Sequence, residues 1–366
     1  MKPFGLERKL CKAQSIKDIH FMKLLSLFIL VAPYIAIANA GENHLETSWG
    51  TPNLDGVWDF RTLTPLERPP VFGEKEVLTP EEAEALLNQI LPPDRADEPS
   101  GIPEQDVEGY NAFWLDPGDQ LDRELRTSLI IDPPNGRLPN RVREADEQRI
   151  AQNQNRTAPV RDILSYSVGP KYLHDGPESL GLSERCLVGF NAGPPLMPGP
   201  YNNNLRIVQT PDYVMLMTEM VHDVRVIPLN RRPEPPPDIR QWYGISSGRW
   251  EGDTLVVETT NFTDKTPGFH LPVKVGHPTG NGVLGSGLNL TVVERFSLND
   301  DGQLEYVATV DAPDSFERAF TMKIIMQSSE EKIFEYACHE GNYALGGILR
   351  GARLQEAEAA SPEPGN

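Results

Sequence analysis

Cysteine is scarce in this chain, three residues in 366. Neither a cysteine–histidine cluster nor the two-turn histidine spacing of a helical zinc site is written in it, so no metal is expected. Basic residues are also short: 34 Lys and Arg stand against 53 Asp and Glu, a formal charge of −19. That imbalance repels phosphate backbones and anionic headgroups, which argues against nucleic acid or acidic lipid and leaves small neutral or cationic molecules as partners. Beyond residue 40 no stretch is apolar enough to cross a bilayer, so no membrane insertion of the mature chain is expected. No glycine-rich phosphate loop, no G-x-G-x-x-G joining a strand to a helix and no G-x-S-x-G elbow at a strand-to-helix turn is read. A nucleotide-dependent enzyme or a serine hydrolase of standard build is therefore not expected, and no cofactor is implied.

What is present begins with an export signal. Met22-Lys23 precedes an apolar run from Leu24 to Ala38, and Ala38-Asn39-Ala40 sets small residues ahead of Gly41. Residues 1–40 read as a signal peptide cut after Ala40, with Met22 as an alternative start, and the expected location is periplasmic or secreted. The leader carries six basic and two acidic residues, so the remainder is four charges more negative. Cys11 leaves with the leader. Cys186 and Cys338 are then an even pair in an oxidising compartment, where a disulfide is the default. The competing reading is Cys338-His339 as a thiol beside a base.

The 34 prolines limit regular helix, and they cluster in connecting stretches. Residues 41–180 read as a proline-rich segment wrapping the rest, with a helix at 80–90 opened by a Thr79-Pro80-Glu81-Glu82 capping box, a second helix at 144–155 and a short strand at 126–132. From 181 to 352 strands follow at short spacing: 186–190, 205–209, 213–220, 224–228, 242–249, 254–262, 288–298, 304–311, 320–326 and 333–338. Residues 353–366 read as a disordered tail. Many antiparallel strands joined by hairpins predict a mainly β fold, a lipocalin-like antiparallel barrel with an internal cavity or, alternatively, a β-sandwich.

Candidate site residues come from alternation, because every second side chain of a half-buried strand faces inward. In Leu288–Leu298 the apolar row Leu288, Leu290, Val292, Phe296 and Leu298 includes Glu294, either a partner for Arg206 or Arg225 or a general acid or base. In the last strand Phe334, Tyr336 and Cys338 share a face that continues to Glu340, with His339 opposite unless the chain turns at Gly341. His222 either points inward or lies in a polar hairpin turn. Asn191 and Asn202 stand beside strand ends where ligand contacts are common, although turns select asparagine for backbone reasons too. Arg206 and Asn261 are placed to orient a substrate.

Several longer motifs carry a resemblance. SERC running into GFNAGPP, then YNNN, QTPDYV, EMVHDVR, GRWEGDTLVVETTNF, VERF and YACHEGNY, together with GVWDFRTLTPLERP and RTSLIIDPPNGRLP near the start, resemble a family of exported bacterial proteins over residues 54–352. The likeness implies secretion and one integrated unit; it implies no particular activity. Two functions are expected from the residues. One is an enzyme acting on a small polar or aromatic molecule by proton transfer, as a lyase, isomerase or hydrolase, with His222, Glu294, His339 and Glu340 as acid–base groups. The other is a lipocalin-like binding protein in which the same groups only hold a ligand.

Overall fold

Alternating apolar and polar side chains put about a third of the described chain into strands that can bury one face. The computed structural model describes residues 46–90, 116, 118–142, 176–177, 182, 185–229, 235–263, 269–270, 283–284 and 288–360. Two compact units divide the chain at residues 43 and 44, and every described residue belongs to the second. The signal peptide and the helix expected at 144–155 lie outside the described residues.

The strands are β1 (Gly56–Asp59), β2 (Ile130–Asp132), β3 (Asn204–Gln209), β4 (Tyr213–Thr218), β5 (Val224–Pro228), β6 (Ile245–Glu251), β7 (Thr254–Thr260), β8 (Phe269–His270), β9 (Val283–Leu284), β10 (Thr291–Leu298), β11 (Leu304–Asp311) and β12 (Phe320–Ser329). Ten form one antiparallel sheet in the order β5-β4-β3-β1-β12-β11-β10-β7-β6, with β2 also on β12; β8 and β9 pair separately. The ten-residue β12 organises the centre. One edge pairs with β11 over Phe320–Met326, and the other takes β2 at Thr321–Met322 and β1 at Gln327–Ser329, end to end.

Residues from the first part do not merely cover the sheet: β1 lies between β3 and β12 and brings Trp58 and, just beyond it, Phe60 into the core. A four-residue strand is too short for alternation to reveal it. The expected strand at 186–190 is a run of turns. The sheet is not closed. Its edges, β5 and β6, approach without pairing, and a Cβ on Gly248 of β6 would lie 2.9 Å from Ile227 Cγ2 and 3.0 Å from Leu229 Cδ2.

The core cluster takes Val292 and Phe296 from β10, Tyr306 and Ala308 from β11, and Phe320 and Met322 from β12. Leu196 and Met197 join it from a loop. All ten residues of that loop, Asn191 to Pro200, are buried. A buried loop ordinarily strands its backbone N–H groups, but four residues here are proline and have none to strand. Ala192 donates to Gly189 O, Leu196 to the Tyr306 hydroxyl, Met197 to Asn191 O and Gly199 to Asn203 Oδ1.

Helix α1 (Pro80–Ile90) has the bounds and cap that its sequence predicts. Thr79 N–H donates to Glu82 Oε2 at 2.8 Å, and Glu82 N–H donates back to Thr79 Oγ1 at 3.3 Å. The C-terminal part differs from expectation. Residues 331–337 form no strand, Cys338–Gly341 is a single helical turn, and Tyr343–Ala360 is an 18-residue helix, α2. Residues 353–360, expected to be disordered, continue α2. Its three glycines mask a run otherwise rich in Ala, Leu, Arg, Gln and Glu, all strong helix formers. Among the described residues no helix is long and apolar enough to cross a membrane.

Candidate functional site

Two polar centres emerge, one sealed and one open to solvent. The sealed centre is built on the inward row of β10. Glu294 is 0% exposed and meets Arg225 of β5 in a two-pronged ion pair, with Arg225 Nη1 donating to Oε2 at 2.6 Å and Nη2 to Oε1 at 2.9 Å. The Tyr306 hydroxyl donates to Glu294 Oε1 at 2.9 Å and accepts Leu196 N–H at 2.9 Å. Burial opposes the Arg225 charge, yet the carboxylate beside it outweighs burial and holds its pKa above the ordinary guanidinium value. Burial, then the Glu294 charge, pushes the Tyr306 hydroxyl well above a normal phenol.

Of the readings offered for Glu294, the partner of an arginine is the one its contacts support, and Arg225 is that arginine. Arg206 stands on the other side of its strand, half-buried, between the buried Leu205 and Ile207. Removing one member of a buried pair leaves an uncompensated charge and costs on the order of 3–5 kcal/mol. This network ties β5, β10, β11 and the proline-rich loop together.

The open centre lies where four chain segments converge on the disulfide. Cys186 and Cys338 are bonded, with Cα atoms 5.8 Å apart, and Asn342 Nδ2 lies 3.5 Å from Cys186 Sγ. That bond removes the free-thiol reading of Cys338. The buried Glu219, at the end of β4, accepts Asn204 Nδ2 at 2.7 Å and Phe334 N–H at 3.1 Å. Three residues on, His222 is exposed in the β4–β5 turn, with Nδ1 3.2 Å from Tyr336 O. A carbonyl can only accept, so Nδ1 carries a proton, and whenever the ring is neutral the lone pair is on Nε2.

Asp223 follows His222 and receives a hydrogen bond from the Tyr243 hydroxyl, which also accepts Gly189 N–H at 3.3 Å. Burial raises the Asp223 carboxyl above the ordinary value, against the lowering effect of Tyr243 and of the His222 charge. Burial, then Asp223, raises the Tyr243 phenol far above its usual value. Backbone strain gathers at the same place: Cys186, Asn202, Val221 and His222 all have left-handed φ, between 46° and 61°. Such a conformation is costly for a β-branched residue such as Val221 and tends to persist where surrounding structure enforces it, often at functional sites.

His339 and Glu340 are exposed on the helical turn beside the disulfide. Asn202 is half-buried there, next to Tyr201. Asn191, expected beside a strand end as a ligand contact, is fully buried, its Nδ2 within 3.0–3.1 Å of Tyr201 O, Asn202 O and Asn203 Oδ1. Asn261 closes the loop before β6, donating from Nδ2 to Pro236 O and Ile239 O at 3.0 Å. Its Nδ2 is committed to backbone, and its Oδ1 accepts the Thr260 hydroxyl at 2.9 Å.

Tyr243 and Tyr306 escaped the sequence reading. Tyr306 shares an alternation row with Leu304, Ala308 and Val310, and an inward phenol needs a partner for its hydroxyl, a signal that was legible. Gly244-Ile245-Ser246-Ser247-Gly248 does spell G-x-S-x-G. It runs from a turn into β6 rather than from a strand into a helix, and Ser246 Oγ pairs with Thr259 Oγ1 at 2.9 Å, so it forms no nucleophile elbow. No three His, Cys, Asp or Glu side chains among the described residues are grouped to hold a metal. No family model, curated protein or solved structure matches the chain.

Proposed function

We propose that this is an exported enzyme, periplasmic or secreted, that acts on a small polar or aromatic molecule by acid–base chemistry without an organic cofactor. His222 is the base, and the reaction class is that of a lyase, isomerase or hydrolase. The observation that carries this reading is the His222 ring held through Nδ1 against Tyr336 O in a strained turn, with Nε2 left to take a proton. Asp223, its pKa raised by burial, is the other proton-handling group, and Tyr243 holds it by a hydrogen bond. Glu294 is a structural partner of Arg225 in this reading, and His339 and Glu340 stand at the margin. The sheet is taken as a lipocalin-like barrel whose seam lies between β5 and β6, where Gly248 meets Ile227 and Leu229. The cleaved leader and extracytoplasmic location belong to the same proposal, and the disulfide supports them.

A second reading has its own observation. Glu294 is sealed from solvent and the Asn191 and Asn261 amides are engaged by protein, which leaves fewer polar groups for chemistry than the sequence suggested. A non-catalytic small-molecule binding protein fits that economy. The two separate in one experiment: incubate the mature protein, and a His222→Gln variant, with small-molecule extract from the producing cells' exterior, and follow every mass. Conversion of a compound by the parent, slowed about 100-fold or more in the variant, is the expected result. Compounds bound saturably but all returned unchanged establish the binding protein instead.

A further inference from the structure

Glu219 stands at the foot of the turn that carries His222, and it is bonded to both sides of the contact that fixes the His222 ring. Its main-chain carbonyl accepts His222 N–H at 3.1 Å, and Thr218 N–H donates to Asp223 O at 3.1 Å, so the turn closes on itself. Its carboxylate reaches the other side: Oε1 accepts Phe334 N–H at 3.1 Å, two residues before the Tyr336 carbonyl that accepts from His222 Nδ1. Two residues after Tyr336 the chain is tied again by the Cys186–Cys338 disulfide, and Cys338 N–H donates to the same Tyr336 carbonyl at 2.9 Å. Tyr336 O is held from before and from behind.

Asn204 of β3 keeps Glu219 in place. Glu219 N–H donates to Asn204 O at 3.0 Å, and Asn204 Nδ2 donates to Glu219 Oε2 at 2.7 Å, so backbone and side chain are both fixed. Glu219 is 4% exposed, and its two carboxylate oxygens are met by neutral amide donors. A carboxylate buried in this way is costly compared with an apolar side chain. What it provides is reach and two acceptors, one oxygen for the sheet and one for the backbone of the C-terminal segment. His222 itself is exposed, so the tautomer of its ring depends on whether Tyr336 O stays within reach of Nδ1.

We propose that Glu219 is a positioning residue for His222: by holding the Phe334–Tyr336 backbone at one spacing from the turn, it keeps Nδ1 on Tyr336 O and leaves Nε2 to take the proton. That His222 is a base rests on the acid–base reading above; that Glu219 fixes its ring does not. The geometry calls for hydrogen bonds at this place, not for charge. A glutamine presents its carbonyl to Phe334 N–H, and Asn204 can turn its amide to set Oδ1 against the new NH2 group. An alanine offers neither contact, while its main chain still holds His222 N–H.

Nuclear magnetic resonance of the isotopically labelled His222 ring tests it, on the oxidised mature protein at alkaline pH, where imidazoles are neutral. The parent should show the Nδ1–H tautomer in excess. Glu219→Ala should lower that share by about twofold or more, and Glu219→Gln should keep it. Phe334→Pro removes the same hydrogen bond from the donor's side and should repeat the loss, which covers the case in which Glu219→Ala does not fold. A share that stays at the parent's level in these variants leaves the disulfide as the holder of the segment and overturns the proposal, as does a parent without the Nδ1–H excess. With a compound that the parent converts, Glu219→Ala should lower kcat by about tenfold or more with KM little changed, and Glu219→Gln should restore it. Loss of the tautomer share in a protein without His222-dependent turnover removes the base and leaves the positioning; His222-dependent turnover with tautomer and kcat unchanged in Glu219→Ala does the reverse.

Discussion

Glu294 is sealed in the core and Asp223 half-buried in the open centre, and their neighbours give these two carboxylates opposite roles. Glu294 meets a guanidinium and a phenol, so its charge is matched and the pair acts as a rivet between β5, β10 and β11. Among the described residues Asp223 has the Tyr243 hydroxyl and the neighbouring His222 to offset its burial, and its pKa is raised. A carboxyl with a raised folded-state pKa binds its proton more tightly when folded than when unfolded. It therefore favours folding below the unfolded value and loses that contribution as pH rises through the folded value. Asp223→Asn removes this penalty. Its melting temperature relative to the parent should thus be more favourable at pH 7 than at pH 3; thermal melts at the two values check it, and a difference of the opposite sign would mean that Asp223 is better solvated than its burial indicates.

At the scale of elements, the stretch 191–200 behaves as core although it is neither helix nor strand. Its prolines remove donors that could not be satisfied, and Leu196 and Met197 fill space between sheet residues. Leu196→Ala should cost about 2–5 kcal/mol in a denaturant titration, the range of a buried leucine in a regular element. A cost below about 1 kcal/mol would be that of an ordinary surface loop. Helix α1 was fully legible because its cap is local: Thr79 and Glu82 need only each other and three residues of backbone. The strand expected at 333–338 was not, because strand formation needs a partner edge, and no local pattern reports whether one is vacant.

For the whole molecule, the disulfide joins two positions 152 residues apart and pins the segment leading into α2 beside the β3–β4 end of the sheet. Closing so long a loop restricts the unfolded chain by an amount on the order of 5 kcal/mol in the chain-entropy picture. Reduction with a dithiol, or Cys338→Ser, should lower the unfolding free energy by up to about that amount, read from denaturant melts with and without reductant. An unchanged midpoint would place the C-terminal segment outside the cooperative unit. Glu219 and His222 hold the same segment by hydrogen bonds, so the tether and the open centre are one assembly.

The amino-acid sequence by itself determined the β-rich class, the bounds of β5, β11 and α1, the inward row containing Glu294 and the pairing of Cys186 with Cys338. Each rests on something local or enumerable: a period of two, a cap, a pair left over after counting. Tertiary structure alone decided that Arg225 rather than Arg206 neutralises Glu294, that β1 is a central strand, that the proline loop is interior, and that His222 turns outward to meet Tyr336. Those outcomes depend on which of several chemically equivalent partners lies within a few ångströms, and distances between residues far apart in the chain are set only when the sheet assembles.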